Sequence, residues 1–470
     1  MIAKSIKIPD ELKKLNDIFE ENGFEAYLVG GAVRDVLLGK KASDWDITTN
    51  AKPQDIMRMF HRVIPTGIAH GTVTIHFMGK EIEATTFRSE SGYSDGRHPD
   101  SVTFDATLED DLSRRDFTMN AIAASLKDGK LIDPFNGQKD IKAKIIRTVG
   151  SPVERFLEDG LRPIRALRFS SQLNFEIERE TYEAIKQTEV QQKIQSISLE
   201  RFRDEFEKIL HSEEPSVALH RMEETGMLRI FIPELAACRN CVQADIRSFH
   251  VFDVLDHNLY ACDGAPRDNL IVRLSALFHD VGKPEAKTIE KCEHPAGSGQ
   301  FVDIIHFYRH EAYSAKIVRP LLTRLKFPNA IVDSVAHLVE NHMFHFEEHW
   351  TDAAIRRFIV KVQSEYLNDL FELRLADMYG KYRRKPEPSS DGVQKLVMLK
   401  KRIEEIQAQK TALSLKDLAV NGNDLIKAGI QPGKRLGAIL NELFQCVLDD
   451  PEMNEKAKLL AVAKNLAKNA

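Results

Sequence analysis

The chain changes character at Ser151. Before it, short β-like runs alternate with helical ones: Phe24 to Val29, Trp45 to Thr48, Thr72 to Phe77 and Glu81 to Phe87 read as strands, and Met78-Gly79-Lys80 reads as a hairpin turn between the last two. After it the signals are almost wholly helical, opening with Ser151-Pro152-Val153-Glu154, a capping box with proline at the first helical position. This order predicts an α+β fold, a small mixed β-sheet head followed by all-helical regions. At 470 residues the chain exceeds one ordinary hydrophobic core, so about three or four domains are expected. They are a head over 1–150, a helical neck over 151–235, a histidine-rich helical region over 240–385 and a helical tail over 393–470. Arg383-Arg384-Lys385-Pro386-Glu387-Pro388-Ser389-Ser390-Asp391-Gly392 reads as a charged linker, and the tail opens with an amphipathic helix around Val393 to Ala408.

Hydrophobic residues make up 43% and charged ones 29%, so the whole chain is expected to fold. A formal charge of −5 means that any nucleic-acid contact must rest on local basic patches. The start lacks a signal-peptide apolar core and no apolar run has bilayer length, which makes cytoplasm the default compartment and a membrane partner unexpected. Five scattered cysteines fit a reducing compartment. Cys238-x-x-Cys241 has only Cys292 and His294 to complete a zinc site, so it reads as two unligated thiols.

The strand-like run to Val29 enters Gly30-Gly31 and then a helical run whose first turn carries Arg34. Residues without side chains let backbone approach an anion, and Arg34 would add a forked donor to a triphosphate. Ten residues later comes Asp44-Trp45-Asp46; in a strand, residues two apart face one side, so both carboxylates can converge on magnesium. Phosphoryl transfer to a hydroxyl uses such a platform for two metals. The third carboxylate should come from a neighbouring strand, Glu83 first and Glu81 as the alternative on the same face. A lone Asp-x-Asp would equally be two solvated carboxylates. Context decides: Gly30-Gly31-x-x-Arg34-Asp35 then Asp44-x-Asp46 resembles the polymerase-β-like nucleotidyltransferases. Glu83-Ala84-Thr85-Thr86-Phe87-Arg88, Arg114-Arg115-Asp116-Phe117-Thr118-Met119-Asn120-Ala121 and Glu158-Asp159-x-x-Arg162-x-x-Arg165 resemble the bacterial class of CCA-adding enzymes and poly(A) polymerases.

That resemblance implies a template-independent RNA polymerase that adds CCA to the 3′ end of tRNA from CTP and ATP, with Mg²⁺ at Asp44, Asp46 and Glu83. It implies that Arg115 and Asp116 contact the sugar. Cytosine and adenine each present an amino donor beside a ring-nitrogen acceptor, so Asp159 would accept from the amino group and Arg162 would donate to the ring nitrogen. Glu158 would brace Arg162, and Arg165 and Arg168 would face the triphosphate or the tRNA end. The family usually has proline where this chain has Gly160, and Pro163 appears instead, so the helix should start or kink there. Ser91 to Asp100 is polar and turn-rich and resembles the loop with which family members switch from CTP to ATP, which argues against a CC-only enzyme. The tail phrase Leu418 to Ile426, then Pro432-Gly433-Lys434, resembles the family's tRNA-facing end. Poly(A) polymerase and A-only addition are the neighbouring readings.

His257, His279-Asp280 and Asp377, with His310 and His342 between, follow the order of an HD domain, whose signature resembles His279-Asp280-Val281-Gly282-Lys283-Pro284. The resemblance implies a metal phosphohydrolase site, with imidazoles better suited to Ni²⁺, Mn²⁺ or Co²⁺ than to magnesium and Lys283 meeting a phosphate oxygen. A phosphohydrolase whose head only senses nucleotide is the reading of a different class.

Overall fold

The computed structural model describes residues 3–468 apart from 43, 69–70, 92–100, 105, 247–250, 295–298 and 410. The chain divides into two units, Met1–Pro233 and Glu234–Ala470.

In the first unit the strands are β1 (Ala26–Val29), β2 (Trp45–Thr49), β3 (Val63–Gly67), β4 (Thr72–Phe77), β5 (Lys80–Thr86), β6 (Ser89–Ser91), β7 (Ser101–Thr103), β8 (Ala123–Ser125) and β9 (Leu131–Ile132), with a short parallel pair, β10 (Ile145–Ile146) and β11 (Glu176–Ile177), beyond them. Seven of them form a mixed sheet in the order β3-β4-β5-β2-β1-β8-β9, and β6 pairs with β7. The expected hairpin is β4 and β5, antiparallel, with Lys80 already paired to Phe77 and the turn confined to Met78-Gly79. Along β5, Ile82, Ala84 and Thr86 are buried while Glu81 and Glu83 face out, the period of a strand covered on one side. The helix Asp10–Glu21 turns Leu12, Leu15 and Phe19 into the core. Of the segment expected to be the switching loop, only Ser91 is described, at the end of β6; residues 92–100 lie outside the described ones.

The neck begins as expected with Ser151 at the N-cap and Pro152 at the first position of the helix Pro152–Glu158, but the serine side chain makes no capping hydrogen bond. The next helix, Leu161–Leu173, holds Pro163 in its first turn, where a missing N–H costs no intrahelical bond, so the helix starts there and does not kink. Gly160 has an ordinary helical φ of −61°. What requires glycine is proximity: a Cβ there would lie 2.7 Å from the Lys193 carbonyl oxygen.

Among the described residues the second unit is helical apart from one antiparallel hairpin, Lys287–Glu293 with Phe301–Phe307. One core gathers Ala261, Val272, Leu338, Ile355 and Leu373 with Leu396, Leu399, Ile403 and Ile406. The last four come from the helix Asp391–Ala408, which therefore packs with the histidine-rich region although it follows the expected linker. A separate core around Leu425, Leu443, Val447 and Leu459 closes the tail.

Candidate functional site

Strands β2 and β5 run parallel with Asp46 directly opposite Glu83, which puts the two carboxylates on one face. Glu81 pairs with His76 across the hairpin instead, its Oε1 3.6 Å from His76 Nδ1. Asp44 stands one residue ahead of β2 and is exposed. Asp46 and Glu83 are exposed as well, yet partial desolvation pushes both carboxyls above the ordinary range. For Asp46, the Arg115 guanidinium opposes the rise and Asp44 adds to it. For Glu83 the Asp46 charge adds to it. Such crowded carboxylates are relieved by a cation, and hard oxygen donors on an open face fit a divalent metal.

Gly30 forms the floor of this site. Its φ of 70° and ψ of −137° belong to a backbone that side chains disfavour, and a Cβ would lie 3.2 Å from Arg115 Nη1 and 3.8 Å from Asp46 Oδ2. Gly31 follows as the first residue of the helix Gly31–Leu37. Arg34, expected to reach a triphosphate, is buried: Nε and Nη2 donate to Asp35 Oδ1 at 2.9 and 2.8 Å, and Nη1 to Asn120 Oδ1 at 2.9 Å. Three of its roughly five N–H groups are thus spent on bracing the turn.

Arg115 and Asp116, neighbours in sequence, part ways. Arg115 lies beside Gly30 with Nη2 3.2 Å from Asp111 Oδ2, and its Nε is buried without a hydrogen-bond partner. Asp116 is buried and accepts from the Phe117 N–H, from Asn120 and from Arg165 Nε at 2.9 Å. Burial alone would raise its carboxyl, but Arg165 and Asn120 hold it down to about 2.

Asp159 ends the helix Pro152–Glu158 and takes Arg201 Nη2 on both oxygens, at 3.0 and 2.8 Å, and the Leu161 N–H on Oδ1. Glu158 braces Arg162 as expected, through Nη1, which also donates to the Arg155 carbonyl; Nη2 donates to the Arg114 carbonyl at 2.9 Å. Arg168 is a correction. Rather than facing a triphosphate or a tRNA end, it is buried between Glu205, Gln172 and the face of Phe169, 3.9 Å from the ring centroid. The stacking and the buried Glu205 leave it a structural cation.

Four residues in this network escaped the sequence reading: Asp111, Asn120, Arg201 and Glu205. Asn120 lies inside a motif already singled out. Glu205 had a local signal, since it is an acid on the buried stripe of the helix Leu199–Leu210 beside Phe202, Phe206 and Ile209. The sequence carries no local sign that Arg201 pairs with Asp159, 42 residues away.

In the second unit the six expected residues converge. His257 comes from the helix Val254–Gly264, His279 ends Leu270–Phe278, His310 opens His310–Arg324, His342 ends Asn329–Asn341 and Asp377 comes from Leu367–Tyr382. His257 Nε2 lies 3.0 Å from His279 Nε2 and 3.2 Å from Asp377 Oδ1. Asp280 touches both groups, with Oδ2 3.3 Å from His279 Nε2 and Oδ1 3.0 Å from His310 Nε2 and 3.7 Å from His342 Nε2. Two triads able to hold an ion share Asp280: His257 with His279, and His310 with His342. All five are 7% exposed or less. Nδ1 of His279, His310 and His342 meets the carbonyl oxygen of Ala276, Phe307 and Val339 at 2.8, 2.9 and 2.7 Å. A carbonyl only accepts, so each Nδ1 carries a proton, and a ring in its neutral form presents a bare Nε2. The Nε2 atoms of His310 and His342 are buried without hydrogen-bond partners, and so is Asp280 Oδ1. Burial and the neighbouring imidazoles push His342 down to about 3, while His279 and Lys283 help to hold Asp280 well below the carboxylate range despite its burial. Lys283, expected at a phosphate oxygen, is buried and donates to Asp280 at 2.5 Å and Gln243 at 2.6 Å.

Among the described residues no helix is long and apolar enough to cross a membrane. The Poly A polymerase head domain matches residues 26–147, the RNA and SrmB-binding site of polymerase A matches 174–239, and tRNA nucleotidyltransferase domain 2 matches 307–463. The CCA-adding enzyme of Ligilactobacillus salivarius is 34% identical over 463 residues, 98% of each chain, and that of Anoxybacillus flavithermus is 34% identical over 444 residues, 94% of each. The crystal structure of the Bacillus stearothermophilus CCA-adding enzyme in complex with CTP superposes with a TM-score of 0.71 at 29% identity, covering 98% of both chains. Identity sustained over nearly full length, with the paired carboxylates in register, places the chain in the CCA-adding enzyme family.

Proposed function

We propose that this chain adds C, C and A in turn to the 3′ end of tRNA from CTP and ATP, without a nucleic-acid template. The observation that carries the reading is the register of Asp46 on Glu83, with Asp44 beside them and Gly30 and Arg115 forming the adjoining floor. Asp44, Asp46 and Glu83 would hold Mg²⁺. When bound, the metal supplies activation of the attacking hydroxyl and charge stabilisation for the leaving pyrophosphate. The protein's own part is positioning and base choice. A carboxylate offers about four acceptor sites; three on Asp159 are filled by Arg201 and Leu161, which leaves one on Oδ2. Arg162 has both Nη1 hydrogens engaged and keeps Nε and one Nη2 hydrogen. One acceptor beside one donor matches the edge of cytosine and adenine and opposes that of guanine and uracil. Arg115 and Asp116 would read the ribose, with Asp116 acting from within its pairing to Arg165. The test is to sequence the products made from tRNA lacking its 3′ end, with CTP and ATP given singly and together. Ordered CCA is expected; adenosine tracts alone would mean a poly(A) polymerase, and a single A only on tRNA already ending in CC would mean an A-only enzyme.

A second reading, an HD-type metal site, rests on the two Nε2 atoms of His257 and His279 facing each other at 3.0 Å. Two lone pairs do not sit so close without a proton or an ion between them, and imidazole donors favour Ni²⁺, Mn²⁺ or Co²⁺. His257, His279, Asp280 and Asp377 would hold one ion and His310, His342 and Asp280 a second. A bound ion would polarise a phosphoryl oxygen. Release of phosphate from simple phosphoesters, or opening of a 2′,3′-cyclic phosphate, only with such metals is the expected result; no hydrolysis with any of them would leave this region a scaffold for tRNA.

A further inference from the structure

The segment read as a linker after residue 382 is built rather than loose. The helix Leu367–Tyr382 ends on Arg383 in the left-handed conformation, φ 51° and ψ 39°, which turns the chain back, and the Arg383 guanidinium sits 4.7 Å over the Tyr260 ring. The N–H and hydroxyl of Ser390 both donate to the Glu387 carbonyl, and Gln394 Nε2 donates to the Pro388 carbonyl. The result is a groove of about 350 Å³ whose walls include Met378, Lys381, Tyr382, Arg384, Lys385 and Ser390.

We propose that this groove binds single-stranded RNA, with one base stacked on Tyr382 and the flanking phosphates on Lys381, Arg384 and Lys385. The Tyr382 side chain is 47% exposed, a large flat ring left in solvent. Lys381 Nζ and the Arg384 guanidinium carbon each lie 5.6 Å from its ring centroid, so cations stand close to an aromatic platform. Among the described residues none of Lys381, Arg384 and Lys385 forms an ion pair: nearby Asp377 is taken by Arg374 and Asp391 by Lys395, and the one acid in the groove wall, Glu387, is outnumbered by these three cations. Four cations in the five positions 381–385, on a chain whose net charge is −5, make the kind of local patch that such a chain needs to hold a polyanion. An aromatic face between cations fits a nucleotide strand better than an acidic peptide, because bases stack where carboxylates cannot. The proposal depends on neither the carboxylate site nor the histidine cluster.

The experiment uses the full chain and a fluorescein-labelled hexaribonucleotide of C and A, followed by anisotropy over a salt series. Tyr382→Ala should weaken binding about ten-fold and Tyr382→Phe, which keeps the ring, by less than about two-fold. Replacing Lys381, Arg384 and Lys385 together by Ala should flatten the slope of log Kd against log salt by about 2, three phosphate contacts' worth. A hexamer carrying 4-thiouridine should cross-link within residues 378–392 of the unaltered protein, an observation that needs no variant to fold. Cross-links confined elsewhere, or affinity and slope unchanged in the variants, would overturn the proposal. So would a poly-glutamate peptide that displaces the RNA and loses affinity equally in Tyr382→Ala and Tyr382→Phe.

Discussion

The chain carries two clusters of ligand-type side chains that are opposites in construction. In the head, Asp46 and Glu83 stand on an exposed sheet face with exposed Asp44 just ahead of β2, and the arginines near them are mostly bound to other acids. In the second unit, imidazoles and one shared aspartate are buried, with nitrogens already aimed. An open set of hard oxygens suits an ion that comes and goes with a triphosphate; a closed set of preset nitrogens suits one that stays.

The comparison would break most visibly with Asp44→Ala or Asp46→Ala. Either should lower nucleotide addition by about a thousand-fold or more, measured as radiolabelled CMP and AMP incorporated, while tRNA affinity in a filter assay holds within about two-fold. Substantial residual incorporation would remove both residues from the metal platform.

Next in size is His279→Ala combined with Asp280→Ala. The purified double variant should lose its transition-metal content by elemental analysis and any phosphoesterase activity, yet add CCA at about the wild-type rate. Brief chelation sharpens the contrast: returning Mg²⁺ should restore addition at once, whereas metal in the buried cluster should leave slowly. Equal rates of loss would show that burial does not separate the two sites.

A smaller effect is expected where base choice is made. Asp159→Ala or Arg162→Ala should cut discrimination against UTP and GTP by about ten- to a hundred-fold, the equivalent of about 1–3 kcal/mol per lost contact, read from single-turnover rates with each nucleotide. A uniform loss for all four nucleotides would make these residues structural. A change in stability rather than in catalysis concerns Asp116, held at about 2 against an ordinary 3.8. A depressed carboxyl stabilises the fold above its unfolded value and loses that contribution as pH falls through the folded one. Asp116→Asn should therefore cost about 2 kcal/mol at neutral pH and flatten the acid dependence of stability between pH about 4 and 2, as followed by urea denaturation.

Much of this was legible in the sequence wherever the signal was local. The β4 and β5 hairpin follows from alternation and a Met78-Gly79 turn, and the preference for Glu83 over Glu81 becomes a matter of register once β5 lies beside β2. The His-Asp set was readable because six ligand-type residues follow one another in the order of an HD domain, with His279 and Asp280 adjacent. What stayed hidden was pairing at a distance. Arg34 and Arg168 looked like free cations until Asn120 and Glu205 claimed them from 86 and 37 residues away. The Arg383 to Gly392 stretch looked like a spacer because composition does not disclose which groups will staple onto its carbonyls.

The three carbonyls that hold the histidine rings share a simple relation. Ala276, Phe307 and Val339 each stand three residues before the histidine they serve. The tautomer is consequently written into each local stretch of chain and needs no distant neighbour. During folding, a ring can take its working orientation as soon as its own four-residue stretch forms, and docking of the helices then brings together parts that are already aimed. For descent, the same arithmetic makes each histidine a module: a helix end that drifts by a point mutation elsewhere carries its correctly oriented nitrogen along with it.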